Sequence, residues 1–150
     1  MDFSVGVYKN INNNTLILVP DGFNQDGIRC NINKPAMLKE PYKPALIGEK
    51  LKECFKITIN HQYTDEYMKV IVTRLVTGEK NDKKFVKNHL FQLVFFNKDN
   101  GFEFEAKMVS KDGRGYTLKP NTSALVLDEK ASDTELGEAV LRTFETCKLI

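Results

Sequence analysis

One phrase occurs twice in this chain. Ile47-Gly-Glu-Lys-Leu-Lys-Glu-Cys-Phe55 lies over Leu136-Gly-Glu-Ala-Val-Leu-Arg-Thr-Phe144 without a gap, sharing the pattern apolar-Gly-Glu-x-apolar-x-x-x-Phe. Both stretches carry apolar residues at helical spacing, so each predicts an amphipathic helix with one buried face. Two explanations stay open. Amphipathic helices resemble one another anyway, or the chain is an internal duplication in which each half is a set of strands closed by a helix. In either case the glycine in each first turn suits a close approach, and the sheet is the expected neighbour.

The second of these helices has a written beginning. Ser132 and Glu135 form an S-x-x-E capping box, and Asp133 and Glu135 place negative charge at the positive end of the helix dipole. Leu136, Val140, Phe144 and Cys147 then define its apolar stripe, and the helix is expected over Ser132 to Cys147. The first helix is expected over Ala45 to Phe55, with Pro44 suited to its first turn. Whether residues 56–60 prolong it is left open by their pattern. A third helix is expected from Thr64 to Gly78 through Tyr67, Met68, Ile71, Leu75 and Val76. A strand through Val70, Ile71 and Val72 is its competitor.

The remaining apolar segments read as strands. Phe3 to Tyr8 and Thr15 to Val19 flank a polar Asn-rich turn, and Ile28 to Ile32 is a shorter candidate. Pro35, Pro41 and Pro44 mark residues 34–44 as an unpaired surface connection, and Pro20-Asp-Gly opens a loop. His89 to Phe96 is a clear strand, and Asn100-Gly101 turns the chain back. In the strand that follows, Phe102, Phe104, Ala106 and Met108 alternate with Glu103, Glu105, Lys107 and Val109. Tyr116 to Leu118 and Ser123 to Leu127 complete the set. The expected architecture is α+β: an antiparallel meander packed against two or three helices, as one domain over residues 1–150.

Composition limits the function. A hydrophobic content of 41% with 28% charged residues is ordinary for a globular protein, and a formal charge of +2 implies no nucleic-acid partner by itself. No apolar run approaches the roughly 20 residues that cross a bilayer. Met1-Asp-Phe-Ser-Val5 lacks the basic and apolar regions of a signal peptide, which points to the cytoplasm. Cys30, Cys54 and Cys147 are few, odd in number and far apart, and read as small buried hydrophobes in a reducing compartment. The Asn-x-Ser/Thr sequons at Asn13 and Asn121 mean nothing without secretion.

Chemistry is sparse. There is no nucleophile elbow, phosphate-binding loop or dinucleotide fingerprint. His61 and His89 lack a metal-ligand motif, although a His pair can serve acid–base chemistry in a small nuclease. Glu103 and Glu105 share a strand face that reads first as solvated. No catalytic, cofactor or metal-binding residue is assigned. Two surfaces remain. Lys80, Lys83, Lys84 and Lys87 with Phe85 can hold phosphates beside a stacked base, the single-stranded nucleic-acid reading. Asp99, Glu103 and Glu105, with Asp128, Glu129, Asp133 and Glu138, can oppose a basic protein partner.

Taken in order, several motifs resemble a known family. A helix ending in Gly, then Lys84-Phe85-Val86-Lys87, a long hairpin, an apolar strand, and Ser132-Asp-Thr-Glu-Leu-Gly-Glu-Ala-Val-Leu-Arg-Thr-Phe144 look like the CdiI-type immunity proteins of bacterial contact-dependent growth inhibition. The likeness covers residues 64–148. Asn97 to Val109 departs from the hairpin of several members, and the mildly basic charge departs from the acidic balance of many. The resemblance implies a cytoplasmic, non-catalytic protein without cofactor. Such a protein forms a 1:1 complex with the cognate toxin domain, often a nuclease, and blocks its active site. Asp99, Glu103 and Glu105 are the expected contacts.

Overall fold

The computed structural model describes residues 2–61 and 71–148. Strands β1 (Phe3–Asn10), β2 (Leu16–Phe23), β3 (Arg29–Asn31) and β4 (Ala36–Leu38) precede helix α1 (Pro44–Asn60). Two short helices follow, α2 (Val72–Thr77) and α3 (Asp82–Asn88). Strands β5 (His89–Asn97), β6 (Gly101–Val109), β7 (Tyr116–Leu118) and β8 (Leu125–Leu127) then lead into helix α4 (Asp133–Lys148). All strands join one antiparallel sheet in the order β3-β2-β1-β5-β6-β7, with β4 also on β2 and β8 also on β6. The class is α+β. The sheet is not one meander but two hairpin units joined through β1 and β5.

The repeated phrase belongs to a repeated structure. Each half is a hairpin, two short strands paired to the hairpin's second strand, and a long helix. β4 lies on Leu16–Leu18 as β8 lies on Phe102–Phe104. The row Val19–Gly6–Leu93–Glu105 reads the same from either side, so a local two-fold axis passes through the Gly6–Leu93 pair. The helices obey it. Gly48 meets the backbone of Asp133 in the first turn of α4, and Gly137 meets the backbone of Pro44 in the first turn of α1. The glycines thus bring helix against helix, not helix against sheet as their position in sequence suggested.

α1 and α4 cover one face of the sheet and seal the core. Ile47, Leu51 and Phe55 from α1 and Leu136, Val140 and Phe144 from α4 are buried with Val5, Val7, Leu16, Leu18, Val94, Phe102 and Phe104. Phe55 packs against Phe96, and Phe144 packs beneath Lys9, which occupies the equivalent place. The capping box forms as expected, with Glu135 N–H donating to Ser132 Oγ (3.1 Å) and Ser132 N–H to Glu135 Oε1 (3.0 Å). The Ser132 backbone N–H, and after it the Ser132 hydroxyl, hold the Glu135 carboxyl below its ordinary pKa. Burial pushes the Cys54 thiol up to about 12, which suits an inert core position.

Several boundaries differ from the sequence reading. Residues 56–60 prolong α1. β2 runs through Pro20 to Phe23, because the Pro20 carbonyl accepts from Ile32 N–H (2.8 Å) on the β3 side, where the missing proline N–H would point. Ala36–Leu38 pairs with β2 despite the neighbouring prolines. The β5–β6 hairpin closes through Lys98, Asp99 and Asn100, with Gly101 left-handed (φ 77°), a three-residue loop in place of a two-residue turn. Of the helix expected from Thr64 to Gly78, residues 64–70 lie outside the described residues, and Ile71, expected inside it, is extended, so the described helix begins only at Val72. Its end stands as expected: Gly78 is left-handed and its N–H reaches Arg74 O (2.8 Å).

Candidate interaction surface

The face of the sheet turned away from α1 and α4 carries the outward residues of the strand alternation, and here the two halves part company. In the first half Ile17 and Val19 are buried beneath Val72 and Val76 of α2, beside Tyr8. In the second half the equivalent positions are Glu103 and Glu105. Glu103 pairs with Val126 as Ile17 pairs with Met37, and Glu105 pairs with Leu93 as Val19 pairs with Gly6. Glu103 is exposed, and Val126 beside it is 60% exposed. Glu105 is half-buried and ion-paired to Lys107 one step along the strand. Leu93 and Phe95 form the half-buried floor between them.

The expected acidic set divides. Asp99 sits at the exposed tip of the hairpin, its N–H held by Asn97 Oδ1 (3.0 Å). Gly101 brings this tip against the β8–α4 loop, since a Cβ there would lie 2.3 Å from Leu127 O and 2.9 Å from Glu129 N. Asp99, Asp128 and Glu129 therefore share one end of the sheet, next to Glu103. Asp133 and Glu138 ride on α4, across the sheet, and Asp133 is paired to Lys52 (2.9 Å).

Next to the acidic half lies a feature that sequence reading missed. The Arg29 guanidinium sits between the rings of Phe23 (5.4 Å to centroid) and Phe95 (5.5 Å) and donates to Ser4 Oγ (3.0 Å). Ser4 Oγ in turn donates to buried Asp21 Oδ2 (2.7 Å), and Asn31 Nδ2 donates to Asp21 Oδ1 (2.7 Å). Burial raises the Asp21 pKa, and the two hydrogen bonds and Arg29 oppose that rise. No motif announces this group, because it assembles across β1, β2, β3 and β5.

The lysine-rich run is rearranged more than the acidic set. It forms α3, with Asn81 Oδ1 accepting from Lys84 N–H at its start. Phe85 points inward and is only 7% exposed; its ring stacks on His89 (4.0 Å) and meets Tyr8 edge-on (5.4 Å). That ring is not available to stack on a base, which removes the aromatic half of the nucleic-acid reading. Lys80, Lys83, Lys84 and Lys87 are exposed. The two histidines do not converge. His61 ends α1, and buried His89 begins β5 on the opposite face, with Nδ1 2.8 Å from Phe85 O. Burial lowers the His89 pKa, against the effect of that hydrogen bond. Among the described residues there is no group of three or more His, Cys, Asp or Glu side chains placed to hold a metal. Nor is any described helix long and apolar enough to cross a membrane.

No protein-family model and no curated protein sequence matches the chain. Solved structures do. A protein of unknown function from Neisseria meningitidis aligns over 99% of this chain and 96% of its own, with TM-score 0.75 and 13% identity. A chain of the CdiA-CT/CdiI toxin and immunity complex from Yersinia pseudotuberculosis aligns over 99% of this chain and 98% of its own, with TM-score 0.72 and 12% identity. At these identities the shared property is the fold, along its whole length.

Proposed function

We propose that this protein is an immunity protein of contact-dependent growth inhibition. It meets a cognate toxin domain, a nuclease, in the cytoplasm, binds it 1:1 and blocks its active site. The observation that carries this reading is the end-to-end fold likeness to a chain of a toxin and immunity complex. The sheet supports it physically. A surface braced by two crossed helices is preformed, so little order has to be gained on binding. Asp99, Glu103 and Glu105 on the open half present negative charge to a basic toxin surface, with Leu93, Phe95 and Val126 as apolar contacts among them. Blocking requires no catalytic group on this chain.

The test is co-expression. A toxin domain encoded beside this chain arrests growth alone, and growth returns when this chain is made with it. Continued arrest with both proteins present at equal levels refutes the function. The surface is tested separately by the triple variant Asp99→Lys, Glu103→Lys, Glu105→Lys. Its association rate falls by about tenfold or more at low salt, and the difference shrinks as salt shortens the Debye length towards about 3 Å. Glu103 and Asp99 carry most of the effect, because Lys107 already neutralises Glu105. An unchanged rate removes this half of the sheet from the interface and leaves the function standing.

A further inference from the structure

A second surface of opposite sign lies between α3 and the connection from β6 to β7. It is an open hollow of about 570 Å³. Its floor is aliphatic: Ile11 is 49% exposed and Val109 44%, with Val86 and Leu90 between them. Its rim is basic. Lys83 and Lys87 stand one turn apart on α3, and Lys111 faces them from the loop. None of the three has an ion-pair partner among the described residues. The one carboxylate in the lining, Asp112, is engaged by Ser110 Oγ (2.7 Å) and Arg114 N–H (3.0 Å).

We infer that this hollow is a docking surface for an acidic peptide segment that carries an aliphatic side chain. Three unpaired ammonium groups around an apolar floor match carboxylates flanking a Leu, Ile or Val in charge and in polarity. A nucleic-acid strand fits less well. Sequence-tolerant binding of a single strand uses exposed rings, whereas Phe85 and His89 are buried against each other and Tyr116, beside Lys111, packs on Phe91 with its hydroxyl donating to His89 O (2.9 Å). The surface is separate from the acidic half of the sheet, and its existence does not depend on the toxin reading.

Fluorescence anisotropy with a labelled peptide of alternating Glu and Leu tests it on the full chain, without any toxin. Saturable binding that weakens with salt is expected. The variant Lys83→Glu, Lys87→Glu, Lys111→Glu loses about tenfold or more in affinity, whereas Lys39→Glu, Lys56→Glu, Lys98→Glu, with the same change of net charge, loses less than about twofold. Val109→Gln weakens binding at low and high salt alike. All six lysines are exposed, so circular dichroism of the variants is expected to match that of the parent. Equal losses in the two lysine variants, tighter binding of labelled oligo-uridine through the same lysines, or no saturable peptide binding would each overturn the proposal.

Discussion

Replacing Gly48 or Gly137 by alanine tests the architecture at its narrowest point. A Cβ on Gly48 lands 1.8 Å from Asp133 O, and one on Gly137 lands 1.8 Å from Pro44 O. Both obstacles are backbone in a first helical turn, so no side chain can step aside. Van der Waals contact needs roughly 3.5 Å, so the two turns must part by about 1.5 Å. Gaps of that size forfeit a large share of the contact between neighbouring buried residues, here Ile47, Leu51, Leu136 and Val140. Overpacking costs about 1–3 kcal/mol and sometimes more, and a backbone clash this deep lies at or past the top of that range. Alanine returns up to about 1 kcal/mol of helix propensity. The net loss is about 2–3 kcal/mol for either single variant, or roughly 5–10 °C in melting temperature for a domain of this size.

The double variant sharpens the argument. Both methyl groups push the same two turns apart, so once one has opened the gap the second costs little. Gly48→Ala, Gly137→Ala is therefore expected to lose about 3–4 kcal/mol, well short of the sum of the singles. Urea denaturation followed by far-ultraviolet circular dichroism reads all three. Gly115→Ala, whose Cβ meets nothing closer than Ser110 Oγ at 3.9 Å, is the control and stays within about 0.5 kcal/mol. Stabilisation by either single variant, or strict additivity, would show that the helices do not cross at these glycines.

Three further outcomes are expected. Ser132→Ala removes the reciprocal cap of α4 and costs about 1 kcal/mol in urea denaturation, because two end N–H groups lose their side-chain acceptors or the order that held them. Gln92→Leu changes stability by less than about 1 kcal/mol or raises it. The buried amide makes one bond, Nε2 to Val140 O (2.8 Å), while its Oε1 has no partner among the described residues, and a loss above about 2 kcal/mol contradicts that account. His89 has a lowered pKa in the fold, so below about pH 6.5 the unfolded chain takes up a proton that the folded chain does not. Its contribution is thus intact above pH 6.5 and is lost as pH falls towards the folded pKa. Relative to His89→Gln, the parent protein becomes less stable between pH 7.5 and 5.5, and parallel pH profiles would refute it.

The parts legible in sequence were those whose cause is local. The capping box, the left-handed Gly78, the alternation along Phe102 to Val109 and the stripe of α4 are set by neighbours within a few residues. β4 was not legible, because a three-residue strand between prolines owes its existence to the partner strand Leu16–Leu18. α3 was hidden by its lysines, since the face that matters is Phe85 and Val86, and the His89 that Phe85 stacks on lies just beyond the helix. The outward direction of Glu103 and Glu105 followed from strand alternation. Lys111 and Arg29 could not be placed on any surface, because the chain reaches Lys111 after a turn and Arg29 finds its rings only across strands.

Symmetry inside and asymmetry outside divide the work of the fold. The core face keeps the two-fold relation from the hairpins to the crossing glycines, with Lys9 in the place of Phe96 and Gln92 in that of Val5 as exceptions, and that face is where close packing sets stability. The outer face abandons it. Ile17 and Val19 accept the apolar side of α2, but an apolar cover over the matching places would bury the Glu103 carboxylate together with the Glu105–Lys107 ion pair, a cost above the gain from a cover of that size. Charge at those two positions therefore reserves half of a rigid sheet for water or for a partner that brings its own cations. It leaves the other half, with α3 and its lysine rim, to be met by chemistry of the opposite sign.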